Sequence, residues 1–313
     1  MLKRIAAFLM AFCILVTLFI PVYAVDSDIS AIAKKLAKNP SANNFSDSEI
    51  VSLFSAILNS DTYGVDPNEI VNWVKANKKI DAETLSIAFH EETHVFTYGE
   101  DNCQRLYKNS EVKVKKMKDT NYIFNGETMV VKAVPVYLPT NMTIKDPDDY
   151  KIIKKYLTNK KMLSNTYGLN GLLSEYYAHV RELGFLIKYR DFCVNNGIKD
   201  TASDRIAKIS AACNEWEKAA NEYVDFIKVN YDGLVYKELT DSNTLHVLDY
   251  IKKEHEKLKI LNNVEPDTVV QKTTKIENLH NKQNPTTVWQ LIENFFETIY
   301  KEFITWTQEF LAI

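Results

Sequence analysis

The sequence predicts a mainly α-helical fold with a small antiparallel β-sheet, an α+β chain, and three observations carry that expectation. Apolar residues recur at helical spacing through most of residues 27–260. Between residues 110 and 138 the period falls to two, around the dipeptide Asn125-Gly126. Within a helical stretch stands His90-Glu91-Glu92-Thr93-His94, whose two imidazoles, four residues apart, project from one face.

Residues 1–24 read as a targeting segment ahead of the fold. Lys3 and Arg4 precede an unbroken apolar run from Ile5 to Ile20, and Val22-Tyr23-Ala24 supplies a small-residue cleavage pattern. A cleaved signal peptide is expected, with a retained membrane anchor as the alternative. The 313-residue chain carries a net charge of −3, which becomes −5 once Lys3 and Arg4 are removed. That balance offers no electrostatic footprint for nucleic acid. A secreted or cell-surface protein is expected, and its Lys, Asn, Ile and Tyr usage resembles that of AT-rich bacterial genomes.

Three cysteines follow the leader, Cys103, Cys193 and Cys213, an odd and sparse set that makes no disulfide framework. Cys193 and Cys213 flank a turn near Asn195–Gly197, but unequal spacing offsets them by roughly 12 Å along antiparallel helices, too far for a bridge. Buried or idle thiols are expected.

The helices come in order. Stretches near 27–38, 46–59 and 66–77 open the chain, with Ser46 and Glu49 as a capping box and Asp66 as an N-cap before Pro67. In 81–97, Asp81 caps the start, Leu85, Ala88, Phe89 and Phe96 space an apolar face, and Gly99 marks the stop. Val112, Val114 and Met117 then alternate with lysines. Tyr122-Ile123-Phe124 and Met129 to Val136 flank Asn125-Gly126 as a hairpin, and Pro135 and Pro139 suit a sheet edge. Helices resume at 147–158, 169–195, 201–230 and 242–260. Leu172, Leu173, Tyr176, Val180 and Leu183 line the second of these, and Ile206, Ile209, Cys213, Trp216, Tyr223 and Ile227 the third.

Residues 25–262 thus form the main domain. A polar linker or strap follows over 263–286, and 287–313 reads as an aromatic amphipathic helix. Docking of that helix on its own core is expected, with self-association or cell-surface association as alternatives. Glu293, Glu297, Glu302 and Glu309 argue against anionic lipid.

H-E-x-x-H on a helix can grip one Zn²⁺ through His90 and His94, leaving Glu91 beside the metal as a general base. Glu92 points about 100° away on the helix and is expected in solvent. A hydrolytic zinc site needs a third protein ligand. Glu100 follows His94 by six residues, but Thr97 stands where a turn back would need glycine. Glu175 begins a polar stripe with His179 and Glu182 on an otherwise apolar helix, so Glu175 is the favoured ligand, with His179 in its surroundings or itself the ligand.

These residues resemble gluzincin-type zinc metallopeptidases. Tyr167-Gly168, Asn170 and Glu175-Tyr176-Tyr177-Ala178 are similar to the Tyr-Gly…Glu-Phe-Phe-Ala segment of lethal-factor-type toxins and secreted Pro-Pro endopeptidases. The resemblance covers about 30 residues, and Tyr167 stands one residue further from Glu175 than the family pattern. It implies a zincin-like catalytic domain over 25–262, Glu175 as third ligand and Tyr167 as donor to the developing oxyanion. Tyr98, Tyr176 and Tyr177 are alternatives for that last role. The expected activity is hydrolysis of a peptide or protein substrate, which can lie as an added strand along the 110–138 segment. The rival reading is an exported, non-catalytic binding protein on the same scaffold.

Overall fold

The computed structural model describes residues 29–58, 64–116, 119–134, 155–157, 163–231 and 233–262. The expected signal peptide, strap and C-terminal helix lie outside the described residues, as do Met117, Pro135, Pro139 and most of the 147–158 stretch.

Local capping sets the first helices: α1 over 29–38, α2 (Asp47–Leu58), α3 (Pro67–Asn77) and α4 (Ala82–Tyr98). Ser46 Oγ accepts from the Glu49 N–H at 3.2 Å while Glu49 Oε2 accepts from the Ser46 N–H at 2.7 Å, the reciprocal capping box. Asp66 accepts from the Asn68 N–H and Asp81 from the Thr84 N–H, each at 2.8 Å. Each bond satisfies a donor that a first helical turn leaves orphaned.

Four short strands follow: β1 (Cys103–Leu106) antiparallel to β2 (Glu111–Val114), and β3 (Thr120–Phe124) antiparallel to β4 (Glu127–Val131). Asn125 and Gly126 take φ of 51° and 82°, the positive pair that a two-residue type I′ turn requires. The single small sheet expected from sequence is instead two separate two-stranded ladders among the described residues. Strand β1 escapes the apolar pattern because its one buried residue is Cys103 and the next residue on the same face is charged, Arg105, held by ion pairs.

The remaining helices are α5 (Leu163–Asn195), α6 (Ser203–Asn230), α7 (Gly233–Asp241) and α8 (Thr244–Asn262). Gly168 interrupts α5 with φ 55° and ψ −128°, so its long regular part matches the expected 169–195 helix. Helix α7, with nine residues, is too short for a period to register in the sequence. The apolar residues picked out on α5 and α6 are all buried. All three described cysteines are buried and free.

Helix α5 packs against α4, α6 and α8. The rings of Phe54 on α2, Phe89 on α4 and Phe185 on α5 stand 5.3–5.9 Å apart and lock three helices together. Helix α4 is not the one-faced helix its apolar spacing implies. Its buried residues include Ser86, His90, Glu92, Thr93, His94 and Thr97 as well as Leu85, Ala88 and Phe89. Thr93 and Thr97 hydroxyls donate to the carbonyls of Phe89 and Thr93, each at 2.8 Å, which removes two of those polar groups from the account. No helix among the described residues is long and apolar enough to cross a membrane.

Gly168 sits where a side chain is strained by the backbone angles alone. Gly168→Ala is expected to lower stability by about 1–3 kcal/mol, read as a lower urea midpoint at unchanged slope.

Candidate metal centre

The helical repeat brings His90 and His94 onto one face of α4, with their Nε2 atoms 3.2 Å apart. Helix α5 crosses this face and delivers Glu175, whose Oε2 lies 3.9 Å from His90 Nε2 and 3.7 Å from His94 Nε2. A point equidistant from the three atoms is about 2.1 Å from each, within the 2.0–2.2 Å of zinc–nitrogen and zinc–carboxylate bonds. These three buried or half-buried side chains could therefore hold a metal ion. Glu100 is elsewhere: its side chain is 66 % exposed and pairs with Arg105.

Each imidazole is also held from behind. His94 Nδ1 is 2.9 Å from Ser174 Oγ, one residue before Glu175 on α5. His90 Nδ1 faces Glu182 Oε2 at 3.0 Å, a charge contact without good hydrogen-bond alignment. Glu182 in turn accepts from Ser86 Oγ at 2.9 Å and from Arg205 Nη2 at 2.5 Å. Carboxylates placed behind metal-binding histidines fix their orientation, and Glu182 has that position here. The sequence marks Glu182 only as part of the α5 stripe; Ser174 and Arg205 carry no local signal. His179 lies beside the centre, its ring 4.5 Å from that of His90 and its Nδ1 donating to the Glu175 carbonyl at 2.8 Å. A second donor group, His90, His179 and Glu182, shares His90 with the first. The Arg205 guanidinium on Glu182 already neutralises that group, so the set with Glu175 is the better cation site.

Electrostatics point the same way. Burial favours the neutral carboxyl of Glu175, but His94, His90 and His179 outweigh it and hold its pKa down to about 2. Glu182 behaves likewise, with burial overcome by His90 and Arg205, also at about 2. Burial opposes charge on His90, yet Glu182, Glu91 and Glu175 together raise its pKa to about 9. His179 falls to about 4 through burial and the nearby His90, and is neutral near pH 7. Without a metal, the proton on His90 is the cation that this ring of acids gathers.

Glu91 lies near enough to His90, His94 and Glu175 to feel their charges, and it accepts from the Val112 N–H of β2 at 2.6 Å. Its pKa is raised by burial, against the pull of His90 and His94. Glu92 overturns the expectation of a solvated acid. It is 2 % exposed, accepts from Trp73 Nε1 at 2.8 Å, and takes a forked contact from Arg105 Nε and Nη2 at 2.7 and 2.8 Å. Its direction on the helix leads away from the histidines, as expected, but α3 and β1 cover that side.

The tyrosines separate cleanly. Tyr176 donates to Glu217 and touches His255 at 2.9 Å, and Tyr177 donates to the Ile123 carbonyl at 2.9 Å; both are engaged away from the centre. Tyr98 stacks its ring 6.1 Å from that of His94 and is 1 % exposed. Half-buried Tyr167 has its ring 6.2 Å from that of Tyr98.

The chain matches no family model, no curated protein and no solved structure.

The raised pKa of His90 gives a signed prediction. In the metal-free protein its stabilising contact with Glu182 is complete below pH 6.5 and is lost as pH rises to about 9. A ligand imidazole must be neutral, so metal uptake at pH 7 should release about one proton per chain. Titration calorimetry in buffers of differing ionisation enthalpy reads that number. Glu175→Ala should weaken metal binding by more than about 100-fold, measured by chelator competition.

Proposed function

We propose that the protein is an exported zinc-dependent endopeptidase. The observation that carries this reading is the buried triangle of His90 Nε2, His94 Nε2 and Glu175 Oε2 with the Glu91 carboxylate one residue along the same helix. Two imidazoles and one carboxylate form a donor set suited to catalytic zinc. Zinc held there would supply a Lewis acid and lower the pKa of a water molecule.

The protein's own residues supply the rest. Glu91, with its pKa raised by burial, accepts a proton from the attacking water and returns it to the leaving amine. Glu182 and Ser174 keep the two rings aimed, so no reorganisation is needed as the reaction proceeds. Tyr167 donates a hydrogen bond to the oxyanion, at the end of α5 where Gly168 breaks the helix. Tyr98 is its substitute, because it shares the aromatic contact with Tyr167 and stands one turn beyond His94. A structural metal site has no use for a buried base beside it, which supports catalysis over a purely binding role.

Glu91→Gln should keep metal and fold but lose hydrolysis of a peptide library by about 10²–10⁴-fold, since an amide cannot take the proton. Equal turnover by mutant and wild type would remove Glu91 from the mechanism. Tyr167→Phe deletes one hydroxyl and is expected to lower kcat by about 100-fold at nearly constant KM. Full kcat in that variant would shift the donor role to Tyr98.

A further inference from the structure

The second glutamate of the motif has a buried setting that metal binding does not require. Glu92 grips Arg105 of β1 with both carboxylate oxygens, and Glu91 accepts the N–H of Val112 of β2. Arg105 and Val112 are cross-strand partners in the β1–β2 ladder. Two successive acids on α4 therefore hold the two ends of one rung.

The ladder geometry explains why this rung is free to be held. Lys115 N–H donates to the Asn102 carbonyl at 2.7 Å just beyond the paired residues, which sets the alternation of the antiparallel pair. Counting inward, Gln104–Lys113 is a hydrogen-bonded pair and Arg105–Val112 is not, so the Val112 N–H points outward from the ladder. It meets Glu91 Oε2 at 2.6 Å, which ties that oxygen and leaves Oε1 for other work. The height of the rung above α4 is set at its other end. There Arg105 is 13 % exposed and is fixed by Glu92, with Glu100 gripping its outer side. Trp73 Nε1 holds Glu92 Oε1 from α3, so Glu92 cannot follow the hairpin if the hairpin shifts.

We propose that Glu92, through Arg105, is a positioning residue for Glu91: it sets the β1–β2 rung so that the Val112 N–H fixes the Glu91 carboxylate in one orientation. The catalytic part of this inference rests on the peptidase reading; the positioning part does not. A carboxylate with one oxygen tied offers the other as a proton acceptor in a defined direction, which general-base chemistry rewards.

Glu92→Gln and Arg105→Gln test it, with Arg105→Lys as the variant that keeps charge and loses the fork. The readout is amide hydrogen exchange at Val112 in the metal-loaded full chain, alongside metal content. A hydrogen bond to an ionised acceptor is worth enough that its loss should speed Val112 exchange by about tenfold or more. The Gln104 and Lys113 amides should keep their protection, metal content should match wild type, and Arg105→Lys should fall between. Unchanged Val112 exchange in the folded Gln variants overturns the proposal. So does a loss spread evenly over the hairpin, which marks a merely structural pair. If wild type cleaves peptides, the Gln variants should lower kcat by about tenfold with KM within about threefold, and an unchanged kcat overturns the link to the base. If metal-loaded wild type cleaves no peptide, the peptidase reading fails while the Val112 measurement still decides the positioning claim.

Discussion

Four charged or titratable side chains on one helix, His90, Glu91, Glu92 and His94, are drawn largely out of water, and the rest of the structure follows from having to meet them. A buried polar group without a partner costs about 1–3 kcal/mol, and more when charged. Helix α4 cannot satisfy these groups itself, since their side chains point outward in different directions. Every neighbour therefore contributes: α5 gives Ser174, Glu175 and Glu182, α6 gives Arg205, α3 gives Trp73, and the β1–β2 hairpin gives Arg105 and the Val112 N–H.

The pairing is uneven in sign, and the imbalance defines the centre. Glu91, Glu175 and Glu182 converge on two imidazoles, and Arg205 is the permanent cation the structure sets against Glu182. The remaining negative charge needs a counterion. In the metal-free protein His90 takes a proton to supply it, which is why its pKa climbs despite burial. A divalent cation held by His90, His94 and Glu175 would fill the same need with no proton. On the far side of α4 a permanent cation is already in place: Arg105 meets Glu92, Glu69 and Glu100. The two glutamates of the motif thus differ in role because they face different neighbours, not because of their own chemistry.

Several features are determined by the sequence alone, because their causes lie within a few residues. The Ser46–Glu49 box, the Asp66 and Asp81 caps and the Asn125-Gly126 turn are local backbone chemistry, and each stands where the sequence put it. The 3.6-residue repeat fixes His90 and His94 on one face and lines α5 and α6 with their buried residues, since both follow from helix geometry. Glu175 is legible as a candidate ligand because a polar stripe on a buried helix stands out against its apolar faces, and the structure brings it beside His90 and His94. What only the tertiary structure decided is which groups meet. Glu92 looks solvated on a helical wheel, yet Trp73 and Arg105 cover it. Ser174, Glu182 and Arg205 acquire their roles across 23 to 96 residues of chain. Periodicity reports how a residue is oriented about its own helix axis, whereas hydrogen-bond partners are chosen within about 3 Å by packing of distant elements.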